Sequence, residues 1–259
     1  MSTRFDDRGK VILVTGASGG IGREICRRFA SSGAEIWVHY SGSEALADET
    51  LAVLKEHGDG PFHKVQADLL SADAVGSMVE TAAEMSGRLD VVVNNAGIFE
   101  RHPPLETPFE EWQEAWDRTL GINLTGPAHV CFHAAKIMRE QGAGRIINIT
   151  SRGAFRGEPE CPAYGASKAG LNSLSQSLAI ALAPHGVEVF AVAPGFVETA
   201  MARPYLTGEM ADAIRRQSPT GRIAKVGDVA FWVQVVAQND AGFATGAIID
   251  VNGASYLRS

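Results

Sequence analysis

The sequence predicts an α/β fold in which one parallel sheet of about seven strands is covered by helices on both faces. Short runs rich in β-branched residues alternate about six times with longer segments of helical spacing, which is the pattern of a doubly wound sheet. No linker-like stretch, charge block or internal repeat divides the 259 residues. We therefore expect residues 1–259 to form a single domain, with ligands binding at the carboxyl ends of the strands.

The expected strands are short and mostly apolar, as strands that are buried on both faces should be. They are Val11–Val14, Ile36–Val38, Phe62–Val65, Leu89–Val93, Arg145–Ile149, Val187–Val192 and Ala247–Val251. The expected helices are Ile21–Ala30, Glu44–His57, Ala72–Met85, Phe109–Gln141, Ala163–Ala183, Glu209–Gln217 and Val229–Ala237. Because the Phe109–Gln141 segment is too long for one helix, we expect Gly121 and the Gly126-Pro127 pair to break it.

Composition and charge argue against several classes of protein. Hydrophobic residues make up 45% of the chain and charged residues 20%, so large-scale disorder and fibrous repeats are not expected. The net charge of −7 comes with no basic segment, which argues against nucleic acid as a partner. No apolar run approaches the ~18–20 residues of a membrane span, and the charged N-terminus lacks the apolar core of a signal peptide. We expect a cytoplasmic protein that binds no membrane.

The cysteines and histidines do not predict a metal site. Cys26, Cys131 and Cys161 are far apart in the sequence and form no CxxC pair, so neither a disulfide framework nor a zinc site is indicated. His129 and His133 have the spacing that presents two ligands on one helix face. However, no Glu follows His129 as in HExxH, and no third ligand is evident. We expect no bound metal.

A glycine-rich turn links the first strand to the first helix. Its sequence is Thr15-Gly16-Ala17-Ser18-Gly19-Gly20-Ile21-Gly22, a TGxxxGxG spacing. Glycine permits a tight turn and lets the backbone approach a phosphate closely, and the free N–H groups at the start of the helix favour an anion. The alternative is a turn that binds nothing, but the strand–turn–helix context favours a nucleotide. No Lys follows the glycines, so a phosphate-loop NTPase is not expected.

Five further motifs follow other strands or lie near them. They are Asn94-Asn95-Ala96-Gly97, Gly121-Ile122-Asn123-Leu124, Ser151, Tyr164-Gly165-Ala166-Ser167-Lys168, and Pro194-Gly195 with Thr199. Together with the glycine turn, and in this order, they resemble the short-chain dehydrogenase/reductase family, and the resemblance runs from about Lys10 to the end of the chain. It implies a single Rossmann-type NAD(P)-binding domain.

The resemblance implies four catalytic residues. Tyr164 would exchange a proton with the substrate oxygen, and Ser151 would hydrogen-bond the same oxygen. Lys168 would hold the nicotinamide ribose, and Asn123 would orient a water that passes protons onward from the lysine. Taken alone, a Tyr–Lys pair on a helix is usually a surface contact, a Ser after a strand is usually a turn residue, and an Asn within a helix usually marks a bend or an end. Only the combination of these residues points to catalysis.

The spacing of Tyr164 and Lys168 has its own physical consequence, because positions i and i+4 share one helix face. A phenol has a reference pKa of ~10. An ammonium ~4 Å away at an effective dielectric near 20 would favour the phenolate by about 4 kcal/mol. This could lower the phenol pKa by up to about 3 units, while desolvation opposes the effect. A Tyr164 that works near neutral pH is thus physically reachable.

The cofactor-binding residues implied by the resemblance lie along the same edge of the sheet. They are Gly16, Ser18, Gly20, Ile21, Gly22, Tyr40, Ser41, Ser43, Asp68, Leu69, Asn95, Ala96, Gly97, Tyr164, Lys168, Pro194, Gly195, Val197 and Thr199. Asp68 would contact adenine, or simply cap its strand. The second strand ends without the acidic residue that favours NAD. Since Ser41 and Ser43 could donate hydrogen bonds to a 2′-phosphate, the sequence favours NADP(H) over NAD(H).

The resemblance predicts a nicotinamide-dependent ketone reductase or alcohol dehydrogenase with a small-molecule substrate. The C-terminal pattern looks most like 3-oxoacyl-carrier-protein reductases, and sugar, steroid or other small-alcohol dehydrogenases remain alternatives. A nucleotide-dependent lyase or epimerase, or a non-catalytic nucleotide sensor, would be possible on the same fold. The resemblance also implies a homotetramer. The segment 200–221 would be a lid, with Met201, Tyr205, Leu206 and Met210 on its apolar inner side.

Overall fold

Seven parallel strands form one sheet in the computed structural model, which describes residues 5–258 apart from the side chain of Pro204. The strands are β1 (Val11–Val14), β2 (Glu35–Tyr40), β3 (Phe62–Gln66), β4 (Val91–Asn94), β5 (Gly144–Ile149), β6 (Val187–Pro194) and β7 (Ile248–Val251). Their order in the sheet is β3-β2-β1-β4-β5-β6-β7. Each of the seven predicted strands is present, so the predicted fold class is confirmed.

Nine α-helices surround this sheet in the described part of the chain. They are α1 (Gly20–Ser31), α2 (Glu44–Lys55), α3 (Ala72–Ser86), α4 (Phe109–Leu120), α5 (Gly126–Gln141), α6 (Gly153–Arg156), α7 (Pro162–Leu182), α8 (Gly208–Gln217) and α9 (Val226–Val236). None of the helices between residues 5 and 258 has both the length and the apolar character of a membrane span.

The Phe109–Gln141 segment is divided at the two predicted places, since α4 ends before Gly121 and α5 begins at Gly126-Pro127, although the chain stays helical between them. Residues Gly121–Thr125 form one π-helical stretch that joins α4 to α5, and the backbone stays in the right-handed helical region at Leu120, Gly121, Thr125 and Gly126. Gly126 and Pro127 lie in the first turn of α5, where a proline is tolerated because its missing N–H would have no partner within the helix. The wider π turn before them lets the helical path continue.

The hydrophobic core lies on both faces of the sheet because alternate strand residues point to opposite sides. On one face, Ile12 and Val14 of β1 pack in a cluster with residues of α1 and α9. On the other, Val11 and Leu13 pack in a second cluster with residues of α3 and α5. Since burial on both faces holds the strands rigidly, their carboxyl ends form a fixed platform.

The order of the strands reverses at β1, whose neighbours are β2 and β4. The chain runs outward from β1 to β3 and then returns to β4 on the opposite side of β1, so the strand order reverses between β1 and β4. A crevice opens at such a switch point in doubly wound sheets. The glycine turn after β1 and the Asn94-Asn95-Ala96-Gly97 motif after β4 therefore face each other there.

Candidate active site

A cavity of about 560 Å³ opens along the carboxyl ends of the strands. We call it the strand-end cavity. Its lining includes many of the residues predicted from the motifs: Gly16, Ser18, Gly20, Ile21, Ser41, Asp68, Leu69, Asn95, Ala96, Gly97, Ser151, Tyr164, Lys168, Pro194, Gly195, Val197 and Thr199. The structure thus brings motifs from distant parts of the chain to one place.

The glycine turn after β1 is held by the segment that follows β4. Thr15 Oγ1 accepts hydrogen bonds from the backbone N–H groups of Asn95 and Ala96 at 3.0 and 3.1 Å. Asn95 Nδ2 donates to the carbonyls of Thr15 and Gly16 at 2.9 and 3.0 Å. At Gly16, φ is +60° and an added Cβ would lie 2.8 Å from Ala96 Cα. Only glycine therefore suits this position.

Gly22 lets the start of α1 lie close to Gly16 and Asn95, but it does not line the strand-end cavity. An added Cβ there would lie 2.5 Å from the carbonyl oxygen of Gly16 and 2.6 Å from Asn95 Nδ2. The structure thus assigns Gly22 to the packing of α1 against the turn. It would act on a ligand through the shape of that turn.

Two of the residues predicted after β2 also lie away from the strand-end cavity. The Tyr40 side chain is buried in the core cluster with α1 and α9, because the last residue of β2 points toward that face of the sheet. Ser43 caps α2, and its hydroxyl accepts a hydrogen bond from the N–H of Leu46. Of the three residues predicted there, Ser41 alone lines the cavity.

His39 lines the cavity instead and was not predicted. Its Nδ1 accepts a hydrogen bond from the N–H of Gly16 at 3.0 Å, and its Nε2 lies 3.1 Å from the carbonyl of Ala67. This pair of contacts requires the tautomer in which Nε2 carries the proton. Burial lowers the pKa of His39, so the neutral ring joins the ends of β1, β2 and β3.

Ser151, Tyr164 and Lys168 meet at the other end of the strand-end cavity. Ser151 follows β5 and accepts a hydrogen bond from the N–H of Gly153 at 3.0 Å. Tyr164 and Lys168 lie one turn apart on α7, and the Lys168 ammonium donates to the carbonyl of Ile149 at 2.9 Å. The lysine is 4% exposed. This bond joins α7 to the end of β5 and thereby holds Tyr164 beside Ser151.

The expectation that Lys168 lowers the pKa of Tyr164 is wrong for this structure. Burial raises the pKa of Tyr164 to about 12, and the Ser151 hydroxyl opposes that rise only in part. The ammonium lies 5.8 Å from the centroid of the phenol ring and points to the Ile149 carbonyl. Burial also lowers the pKa of Lys168 to about 8. Desolvation therefore outweighs the attraction between the two groups.

Asn123 lies behind the cavity and does not line it. It is fully buried in the π segment. Its Oδ1 accepts from the N–H of Ile98 at 2.8 Å, and its Nδ2 donates to the Ile98 carbonyl at 3.0 Å. An added Cβ on Gly97 would lie 3.2 Å from Asn123 Oδ1 and 3.5 Å from Lys168 Nζ. Asn123 and Lys168 thus approach Gly97 together.

Aromatic side chains form one wall near Tyr164. The Phe99 ring lies edge-on to Tyr164, with centroids 4.8 Å apart, and edge-on to Tyr205 at 5.7 Å. From the predicted lid, Met201 and Tyr205 line the cavity, whereas Leu206 and Met210 do not. Met210 is in α8 and is exposed, so the apolar inner side is smaller than the sequence predicts.

Several residues of the lining were missed by sequence reasoning. They are Gly19, His39, Ile98, Phe99, Arg118, Ile122, Ile149, Thr150, Arg152, Glu158, Phe196, Ala200 and Ala202. Proximity to a strand-end motif is a usable signal for Phe99, Thr150, Arg152 and Phe196. Arg118 and Glu158 carry no such signal, because the path of α4 and of the loop before α7 brings them there.

The cavity suits a dinucleotide in shape and in donor groups. It runs from a glycine turn at the start of α1, where backbone N–H groups favour phosphate, to the buried Lys168. An ammonium has three donors, and Lys168 makes one hydrogen bond within the described residues. It can therefore donate to ribose hydroxyls. Among the described residues, no cluster of three or more His, Cys, Asp or Glu side chains could hold a metal ion.

Comparison with known proteins agrees with this geometry. A family profile described as Enoyl-(Acyl carrier protein) reductase matches residues 16–254. The chain is 36% identical over 248 residues to the 3-oxoacyl-acyl-carrier-protein reductase of Staphylococcus aureus, covering 96% of this chain and 98% of that one.

Solved structures show the same likeness. A short-chain type dehydrogenase/reductase from Mycobacterium ulcerans superposes with a TM-score of 0.91 at 27% identity, covering 97% of this chain and 91% of that chain. A putative short-chain alcohol dehydrogenase from Sinorhizobium meliloti gives 0.90 at 33% identity, covering 97% and 98%. The chain belongs to the short-chain dehydrogenase/reductase family. It is an NAD(P)-dependent oxidoreductase that acts on CH–OH groups and on the corresponding ketones.

Replacing Gly22 by alanine should weaken cofactor binding, because the new methyl group would meet the Gly16 carbonyl at 2.5 Å and displace the turn. Overpacking of this kind costs about 1–3 kcal/mol, so we expect the cofactor Kd to rise about tenfold or more. Fluorescence titration measures it. Gly227→Ala in α9 is the matched control, since its added Cβ has only Glu24 Oε1 nearby, at 3.7 Å. Equal Kd values for the two variants would contradict this role.

Proposed function

We propose that this enzyme interconverts a ketone and a secondary alcohol, with Tyr164 as the general acid and base. A bound nicotinamide would supply or accept the hydride. The observation that carries the proposal is the meeting of Ser151, Tyr164 and Lys168 at one end of a cavity whose other end is the glycine turn. The hydroxyls would hold a carbonyl oxygen between them.

The protonation states support carbonyl reduction at neutral pH. With a pKa of about 12, Tyr164 carries its proton and can donate it to the substrate oxygen as negative charge develops there. Ser151 stabilises the same charge by a hydrogen bond. Alcohol oxidation requires the reverse proton transfer, from the alcohol to Tyr164. Because a raised phenol pKa favours the protonated form, the site is better suited to donating this proton than to accepting one.

Lys168 and Asn123 support Tyr164. A Lys168 pKa of about 8 leaves the ammonium mostly charged at pH 7, where it can donate hydrogen bonds to the ribose. Asn123 is placed to hold the segment after Gly97 through its two hydrogen bonds to Ile98. We propose that it also orients a water beside Lys168, as the family resemblance implies.

We propose that NADP(H) is favoured over NAD(H). No carboxylate stands at the end of β2, where one would bind both ribose hydroxyls and repel a 2′-phosphate. Ser41 lines the cavity at this point and can donate a hydrogen bond to that phosphate. Ser43 would contribute to phosphate binding indirectly, because its side chain caps the start of α2.

The names of the relatives supply one candidate substrate class, the 3-oxoacyl thioesters. Sugars, steroids and other small alcohols are the alternative, and the charged residues Arg152 and Glu158 in the cavity lining favour the hydroxyl-rich sugars among them. A lyase or epimerase on this fold would turn over substrate with no net change in reduced nicotinamide. A non-catalytic sensor would lack turnover altogether.

We also propose a homotetramer in the cytoplasm. Large apolar side chains are exposed on α4, α5 and α7, namely Phe109, Phe132 and Ile180. Exposed apolar residues on adjacent helices are typical of subunit interfaces. The α4–α5 and α7 surface would form one contact, and β7 with α9 another.

Tyr164→Phe should abolish turnover while cofactor binding persists, because it removes the hydroxyl and keeps the ring that packs against Phe99. General acid catalysis contributes about 10²–10⁴-fold, so we expect kcat to fall at least a hundredfold. The measurement is absorbance of reduced nicotinamide with a panel of ketones. Tyr256→Phe is the control, since that hydroxyl bonds to the Phe155 carbonyl outside the cavity. Near wild-type ketone reduction by Tyr164→Phe would refute the mechanism.

NADPH should bind more tightly than NADH, and Ser41→Asp should reverse the order because a carboxylate would repel the 2′-phosphate. Ser41→Asn is the matched control of nearly equal size without the charge. Fluorescence titration of each protein with both cofactors gives the ratio of Kd values. Tighter NADH binding by the unaltered protein would overturn the proposed preference.

A further inference from the structure

A carboxylate stands in the strand-end cavity without a role in the chemistry described above. Glu158 lies in the loop between α6 and α7 and lines the cavity together with Ser151 and Tyr164. Its Oε1 packs over Gly153, where an added Cβ would lie 2.5 Å away. Gly153 is the residue whose N–H binds Ser151 Oγ. Glu158 is therefore close to the atoms that would hold the substrate carbonyl.

The Glu158 carboxylate has no hydrogen-bond or ion-pair partner among the described residues. Burial raises its pKa, opposed by the more distant charges of Arg156 and Arg152. A half-buried carboxylate normally finds a donor, because taking a charge from water without one is unfavourable. Its two oxygens are free to accept hydrogen bonds from a bound molecule.

The neighbouring arginines are held by other groups. Arg152 donates to Ser255 Oγ at 2.6 Å and to Gln217 Oε1 at 2.7 Å, and its guanidinium stacks on Phe196. Arg156 donates to the same Gln217 oxygen at 3.1 Å. Because these contacts hold both guanidinium groups, Glu158 stays available on the cavity side.

We propose that Glu158 determines specificity by accepting a hydrogen bond from a hydroxyl group next to the reacting carbonyl, so that the substrates are hydroxylated ketones and vicinal diols. This inference rests on the proposed function of the same site. An alkyl chain would cover the carboxylate and offer it no donor. A cationic ammonium would meet Arg152 and Lys168 in the same cavity, so a neutral hydroxyl is the donor that fits.

The test compares butan-2-one with 3-hydroxybutan-2-one, which are nearly equal in size. A hydrogen bond to a charged group corresponds to about tenfold or more in affinity. We expect kcat/KM of the wild-type enzyme to favour the hydroxylated ketone by at least this factor. Glu158→Leu should raise the KM of the hydroxylated ketone and so bring the ratio of the two kcat/KM values close to one. Glu158→Gln should give a ratio between those of the wild type and Glu158→Leu.

The control is Glu160→Gln, two residues away. Glu160 is exposed, pairs with Arg101 at 2.6 Å and does not line the cavity, so the ratio should stay at the wild-type value. Cofactor Kd and thermal unfolding of each variant show that the fold is intact. An unchanged ratio in Glu158→Leu would overturn the inference, as would a wild-type preference for butan-2-one or for acetoacetyl-pantetheine. Absence of any ketone reduction by the wild type would instead refute the proposed function.

Discussion

The hydrogen bond from the buried Lys168 ammonium to the Ile149 carbonyl is the contact on which the site depends. It joins α7 to the end of β5, and so it fixes Tyr164 on the helix relative to Ser151, which follows the strand. A charge taken out of water is retained only where acceptors are available. The same burial that places the lysine here also lowers its pKa to about 8 and raises that of Tyr164 to about 12.

The cofactor end of the cavity depends on close backbone contact in the same way. The turn after β1 lies against the segment after β4, and Thr15 and Asn95 provide the hydrogen bonds between them. Glycine at positions 16 and 22 is required because a side chain would collide with the facing backbone or amide. The core on both faces of the sheet keeps these two strand ends in place, so the site is rigid where it would meet phosphate.

The sequence predicted the strands and most of the cavity lining, because buried parallel strands are apolar runs and the motifs follow them directly. It could not predict that Tyr40 points into the core and that Ser43 caps a helix. The predicted strand ends at Val38, whereas β2 continues to Tyr40, and the strand's end decides which face the Tyr40 side chain takes. Nor could the sequence predict that desolvation outweighs the Tyr164–Lys168 attraction, because the rotamer of Lys168 is set by a carbonyl far away in sequence. The sequence also did not predict Glu158 in the cavity lining, because it belongs to no motif and reaches the cavity through the path of the loop before α7.

The most direct test of this account is the pKa of Lys168 in the free enzyme. NMR of protein labelled with ¹³C at lysine Cε, titrated with pH, reports each ammonium, and the resonance missing from Lys168→Arg identifies the residue. If Lys168 is buried at the end of β5 as described, it should titrate near pH 8, well below the ordinary lysine value of about 10.4. Titration of Lys168 at or above that ordinary value would contradict this account, because the ammonium would then be solvated rather than buried at the end of β5.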